Sequence, residues 1–195
     1  MIRFCDVFFS LLGLIVLSPI FVIIALCIVL DSRGGVFYRQ VRVGRDGKDF
    51  RLFKFRSMAS GADKKGLITV GAKDSRVTRV GYFLRKYKLD ELPQLLNVVR
   101  GEMSLVGPRP EVRKYVDMYT VEQRKVLAVA PGITDYASIE YADENTILGQ
   151  ARDPDLAYVE QIMPDKIRYN MKYINNQCLK EYFKIIFLTL MKIVK

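Results

Sequence analysis

The chain has 195 residues, half of them apolar, and carries 31 Lys and Arg against 21 Asp and Glu, for a net charge of +10 with no histidine. The missing histidine excludes Ser-His and Cys-His nucleophile pairs, the usual zinc sites and an imidazole base, so any chemistry must rest on Asp, Glu, Lys, Arg or Tyr. Cys5, Cys27 and Cys178 form no CxxC or metal-ligand spacing, and the positive charge calls for an anionic partner without the recognition-helix or strand signature of a nucleic-acid module.

The first element runs from Val7 to Leu30 without a charge, long enough as one helix to cross a hydrocarbon core of about 30 Å. It lacks the flanks and cleavage pattern of a removable signal peptide. Arg33, Arg39, Arg42 and Arg45 follow directly and place the remainder on the cytoplasmic side. Ser18-Pro19 stands at the centre of the run, where proline removes a backbone bond and breaks or kinks the helix. Each half falls short of the roughly 20 residues that a crossing needs, and Arg3 and Asp6 prefer a wet interface. A helix-break-helix hairpin that enters and leaves on one face satisfies these facts; a kinked spanning helix is the other solution.

Residues 36–44 and 50–58 are β-rich runs around Asp46-Gly47, a hairpin turn signal. In the second strand Leu52, Lys54 and Arg56 share a face, with Phe53 and Phe55 on the other. The two cations form either a phosphate clamp or a solvated strand face. Residues 60–75 read as a polar loop, free to move over a site. Arg76 to Lys88 reads as a basic amphipathic helix with Val77, Val80, Phe83 and Leu84 apolar, suited to lipid headgroups.

Asp90-Glu91 comes next. Pro93 is tolerated only near a first helical turn, so the helix through Gln94 to Val99 is predicted to begin close to Asp90. A helix start binds phosphate and stabilises anions, and Arg85, Lys86 and Lys88 push the same way, so Asp90 is expected to be ionised and a competent nucleophile toward phosphorus. The plain alternative is a helix cap at Asp90 with Glu91 filling the first turn. In Gly107-Pro108-Arg109-Pro110 two prolines fix the backbone on either side of one arginine, which suits a pyrophosphate or simply makes a turn.

A helix is predicted from about Glu111 to Val126, then a strand-poor stretch to Gln150, then a helix from Asp153-Pro154 to about Asn175. In the last segment Leu179, Tyr182, Phe183, Ile186, Leu190 and Ile193 follow helical spacing among Lys180, Lys184, Lys192 and Lys195. This describes an interfacial helix, a helix packed on the domain, or one face for each task. The fold class is α+β, helix-rich with a small β-hairpin: residues 1–32 form the membrane-anchoring helix, and residues 33–195 form a cytoplasmic domain with interfacial amphipathic helices.

The elements Ser18-Pro19, Lys54-Phe55-Arg56-Ser57-Met58, Arg85, Leu89-Asp90-Glu91-Leu92-Pro93-Gln94, Gly101-Glu102-Met103-Ser104, Gly107-Pro108-Arg109-Pro110 and Pro131-Gly132-Ile133-Thr134 occur in this order. In them the chain resembles, over nearly all its length, the bacterial sugar transferases of the monotopic phosphoglycosyl transferase superfamily. The resemblance implies a re-entrant helix broken at Ser18-Pro19 and a place on the cytoplasmic face of the bacterial inner membrane. It also implies transfer of a sugar-1-phosphate from a UDP-sugar to undecaprenyl phosphate with release of UMP. By that likeness Asp90 forms an aspartyl-phosphosugar intermediate, Glu91 holds Mg²⁺, and Lys54, Arg85 and Arg109 bind phosphates. The alternatives are a non-catalytic membrane scaffold for glycan assembly and a membrane-bound UDP-sugar hydrolase. After Pro-Gly-Ile-Thr many members carry an Asn-Gly-Arg cluster, whereas this chain reads Asp135-Tyr136-Ala137-Ser138-Ile139, so no donor contact is carried onto that loop.

Overall fold

A computed structural model describes residues 1–62, 74–141 and 144–194. Most of the polar loop at 60–75 lies outside the described residues. The chain opens with α1 (Ile2–Val16) and α2 (Ser18–Asp31), bent by 61° to one another. Leu17 ends the first helix and starts the second, and Pro19 occupies the first turn of α2, where a missing N–H costs nothing. No single helix among the described residues is long and apolar enough to cross a membrane; the bent pair passes that test together, by length and composition.

The hairpin forms as predicted. β1 (Phe37–Val43) pairs antiparallel with β2 (Asp49–Phe55), Phe37 opposite Phe55 and Val43 opposite Asp49. Asp46 and Gly47 take φ of 57° and 73° in the turn, as a tight connection requires. α3 (Arg79–Lys86) begins at Thr78, whose hydroxyl accepts from the Gly81 N–H at 3.0 Å. It is shorter than the predicted 76–88 because Val77 is taken into a β-bridge with Met58. α4 (Gln94–Arg100) stops at Gly101, φ 86°.

β3 (Ser104–Val106) runs parallel to β4 (Gly132–Thr134), so Pro-Gly-Ile-Thr, carried across as a loop, is a short strand. The predicted helix over 111–126 is also corrected. Only α5 (Arg113–Val116) and a 3₁₀ turn at Gln123–Ala128 form. Thr120 and Gln123 close a capping box, the Gln123 N–H donating to the Thr120 hydroxyl and the Thr120 N–H to Gln123 Oε1, which starts a new turn instead of continuing the old one. Then come α6 (Tyr136–Glu140), α7 (Glu144–Gln150) and α8 (Pro154–Ala157). A π-turn at Tyr158–Ile162 leads on to α9 (Met163–Asn175), and α10 (Leu179–Val194) follows. The helical run from Pro154 to Asn175 matches its prediction, and Asp153 caps it by accepting from the Leu156 N–H at 3.1 Å.

The main core joins the end of β1 to the helical run, with Val43, Tyr115, Val116, Leu148, Tyr158 and Ile162 among its members. Ile24 and Ile28 of α2 pack on Phe55 and Leu84. α10 packs on the domain through Tyr182 and Ile185, which are wholly buried, while Phe183, Phe187 and Leu190 remain exposed.

Of the two charges near the N-terminus, Arg3 is exposed but Asp6 is buried. Asp6 is only 2% exposed and accepts from the Ser104 hydroxyl at 3.0 Å, the Leu105 N–H at 2.9 Å and the Tyr182 hydroxyl at 2.8 Å. Arg3 donates to the carbonyls of Val98 and Val99 at 2.7 and 3.1 Å, near the end of α4 where carbonyls lack helical partners. Arg56 is likewise diverted from any clamp with Lys54. Its guanidinium caps the end of α2, donating to Ser32 O at 2.7 Å and to Arg33 O.

Candidate active site

The acidic pair lies in a tight 3₁₀ turn, Leu89–Glu91, between α3 and α4. Lys88 enters that turn at φ 56°, a left-handed conformation that non-glycine residues hold only when their surroundings compel it. α4 begins at Gln94 after Pro93 and has no side-chain cap, so Asp90 is not a helix cap. It is 7% exposed and lines a cavity of about 990 Å³ together with Glu91, Lys54, Arg85 and Arg109. The five side chains predicted from the sequence thus meet on one cavity. Ser18 and Pro19 are at the helix bend, away from its lining.

Lys54 comes from β2, where strand alternation aims it at the turn, and its Nζ lies 2.9 Å from Glu91 Oε1. Arg109 reaches the same carboxylate from the loop after β3, through Nη1 to Oε2 at 3.1 Å and through Nη2 to Oε1. Two backbones in van der Waals contact place that arginine. A Cβ on Gly132 would lie 2.0 Å from the Gly107 nitrogen, so only glycine lets β4 meet the loop that follows β3. The Gly132 N–H donates to Pro108 O at 2.9 Å, and the Gly107 N–H to Thr134 O at 3.0 Å. Asp135, 1% exposed, then accepts from the Arg109 N–H at 3.0 Å. Sequence reasoning missed this supporting role, for which its place directly after Pro-Gly-Ile-Thr is the available signal.

Burial sets the two carboxyls apart. It pushes Asp90 above its ordinary value, and the nearby Glu91 charge adds to this, while Lys54 and Arg85 only partly offset them. The shift is opposite to the one expected from a helix start flanked by cations, because the turn is buried and α4 begins beyond it. Burial would raise Glu91 as well, but Arg109 and Lys54 together outweigh it and hold that carboxyl well below its usual range. Burial pushes the Lys54 ammonium down by more than Glu91 holds it up. The Glu91 charge raises Arg109. Three cations face two acids, leaving an excess of positive charge for phosphate oxygens.

Among the described residues, no group of three or more His, Cys, Asp or Glu is placed to hold a metal ion. Mg²⁺ needs less where a substrate phosphate completes its shell, since one or two carboxylates and waters suffice. Glu91 fits that open arrangement provided Lys54 or Arg109 turns from its oxygens to a phosphate, because both oxygens are engaged by these cations.

The cavity thus holds an acidic pair among three cations, on a domain that also carries a bent apolar helix pair. The chain belongs to the bacterial sugar transferase family, whose profile matches residues 1–195. It is 36% identical over 195 residues to the UDP-N-acetylgalactosamine-undecaprenyl-phosphate N-acetylgalactosaminephosphotransferase of Aeromonas hydrophila, covering 98% of this chain and 43% of that protein. It is 40% identical over 193 residues to the UDP-glucose:undecaprenyl-phosphate glucose-1-phosphate transferase of Klebsiella pneumoniae, with 97% and 39% covered. It is 32% identical over 203 residues to the exopolysaccharide production protein ExoY of Sinorhizobium fredii, with 96% and 83% covered. The chain therefore spans about two fifths of the length of the first two relatives.

Proposed function

We propose that this chain transfers a sugar-1-phosphate from a UDP-sugar to undecaprenyl phosphate and so begins a membrane-linked glycan. One observation carries the reading: Asp90, buried and not used as a helix cap, faces the same cavity as Lys54, Arg85 and Arg109. The printed activities of the Aeromonas and Klebsiella relatives agree with it.

In the first half-reaction an Asp90 oxygen attacks the sugar-bearing phosphorus, and the bond to the bridging oxygen breaks. UMP leaves with the electron pair, and an aspartyl-phosphosugar remains. In the second, an oxygen of the lipid phosphate attacks the same phosphorus and frees the Asp90 carboxylate, giving ping-pong kinetics. Lys54, Arg85 and Arg109 are fixed charges that stabilise the transferring group. Mg²⁺ held by Glu91 would neutralise charge on the donor pyrophosphate. Arg109 is preset for that ligand by its backbone bond to Asp135, which lowers the ordering cost of binding.

The helix pair at 1–32 serves in this reading as a re-entrant anchor in the bacterial inner membrane, with residues 33–195 on the cytoplasmic face. Support comes from both of its ends. Arg3 and Asp6 bind the catalytic domain at the start of α1, and Arg56 binds it at the end of α2. Exposed Phe4, Ile15 and Leu30 on the pair, Phe83 on α3 and Phe187 on α10 fit contact with lipid.

The test is incubation with UDP-sugars, undecaprenyl phosphate and Mg²⁺. Release of UMP coupled to consumption of lipid phosphate is the expected result. UMP formed without lipid consumption would mean a hydrolase, and no UMP from any donor would mean a scaffold.

A further inference from the structure

The cavity wall continues past Arg109 into a second polar cluster that the transfer step leaves unused. Glu111, two positions on, accepts from the Tyr158 hydroxyl, and its Oε1 lies 3.5 Å from Lys166 Nζ. Lys166 also lies 3.1 Å from Glu144 Oε2, and Arg42 closes the group 3.8 Å from Glu111. Lys166 is 7% exposed and Tyr158 4%, yet all five residues line the same cavity as Asp90. Buried ion pairs add little to stability, so a cluster of this size at a cavity suggests another task. The π-turn at Tyr158–Ile162 interrupts the helical run at this place, and such turns gather at functional sites.

Ser138 supplies an independent observation. The residue lines this cavity, and its buried Oγ has no hydrogen-bond partner among the described residues. Its backbone is nonetheless fixed, since the Ser138 N–H donates to Asp135, which also holds the Arg109 N–H. An orphaned buried hydroxyl is costly, and a ligand that completes it explains its presence.

We propose that Ser138, with Glu111, Glu144, Tyr158 and Lys166, binds the sugar ring of the donor and so selects which sugar is transferred. The inference rests on the transferase reading given above. Charge distinguishes the two parts of the cavity. Around Asp90 the cations exceed the acids, as phosphate requires; in the second cluster Arg42 and Lys166 balance Glu111 and Glu144, which suits a neutral polyol. Hydroxyls donate to carboxylates and accept from an ammonium, and the cluster offers both. Tyr115 and Tyr158, with ring centroids 4.8 Å apart and each 4% exposed, pack behind the cluster and hold the Tyr158 hydroxyl in place.

The experiment is equilibrium binding of UDP and of a panel of UDP-hexoses and UDP-N-acetylhexosamines to the full chain in lipid nanodiscs. Ser138→Ala is the first variant, because its hydroxyl has no partner among the described residues and the fold should be unchanged. The best-bound UDP-sugar should weaken about fivefold, the worth of one hydrogen bond, while UDP binds as before. Tyr158→Phe should reorder the sugars in the panel, again without changing UDP. Affinities for UDP and UDP-sugars that fall in parallel would overturn the proposal, as would two variants that leave their ratio and the sugar order unchanged. If the unaltered chain binds neither UDP nor any UDP-sugar, the transferase reading itself is lost, and the sugar pocket with it.

Discussion

Lys54 Nζ lies 2.9 Å from Glu91 Oε1, on a carboxylate that Arg109 also grips. Glu91 thus holds together two cations delivered by different elements, a strand and a loop. Glu91→Gln should leave both part-buried cations undercompensated, at a cost of about 2 kcal/mol in stability, and should also impair Mg²⁺-dependent turnover severely. Chemical unfolding in detergent and a UMP-release assay check the two effects. Adding Lys54→Met to Glu91→Gln should recover part of the stability and none of the activity, the non-additivity expected of direct contact. An additive double variant would mean that the pair carries no such coupling.

Asp90→Asn should abolish both turnover and the trapping of a phosphosugar adduct, with no loss of fold. Burial disfavours the ionised carboxylate there, so the neutral amide should be at least as stable at neutral pH. Mass spectrometry of the protein loaded with donor in the absence of acceptor reads the adduct, and thermal unfolding reads the fold. A near-normal rate in this variant would remove the mechanism.

The opposite shifts of the two acids separate activity from stability on the acid side. Attack needs Asp90 deprotonated, and its folded value is raised above 3.8, so the rate should fall at a higher pH than for an ordinary aspartate. Glu91 and Glu111 have folded values below 4.5. The stability they contribute is complete above that unfolded value and is lost only as pH falls through the folded ones. Asp90 acts in the other direction, since its protonation on acidification favours the folded state. A range of pH should therefore exist in which the protein is folded but inactive. Parallel rate and circular-dichroism titrations test this, and coincident midpoints would contradict it.

Local signals carried what local physics decides. Asp46-Gly47 marked the hairpin, Asp153-Pro154 marked a helix start, and Ser18-Pro19 marked the bend, because each fixes its own backbone. The residues that the motifs named, Lys54, Arg85, Asp90, Glu91 and Arg109, line one cavity. Illegible features were those decided by distant partners. Arg56 shares a strand face with Lys54 yet turns to the end of α2, and Arg3 and Asp6, hydrophilic by type, are claimed by α4, β3 and α10. The direction of the Asp90 shift depended on burial, which composition does not report. Lys166 and Tyr158 looked like ordinary residues of one helical run until the fold set them against Glu111.

Asp6 offers a test of how the helix pair is held. Asp6→Ala would leave the Ser104 hydroxyl, the Leu105 N–H and the Tyr182 hydroxyl without their shared acceptor, a loss of about 3 kcal/mol, whereas Asp6→Asn keeps a carbonyl oxygen and should cost less. Topology should follow the same contacts. Pro19→Ala restores the backbone N–H that proline lacks at the bend, and a straightened pair would be long enough to cross a bilayer. Straightening, however, would pull Arg3 from the end of α4 and Asp6 from β3 and α10 while Arg56 keeps the end of α2 in place. Pro19→Ala alone should therefore leave the N-terminus on the cytoplasmic face, and Pro19→Ala with Asp6→Ala should release it in part. An impermeant maleimide on Ile2→Cys, in a chain with Cys5, Cys27 and Cys178 replaced, distinguishes these outcomes. Periplasmic labelling of the otherwise unaltered chain would mean a spanning helix, and labelling from that face in Pro19→Ala alone would mean that the bend, rather than the contacts of Arg3 and Asp6, holds the hairpin.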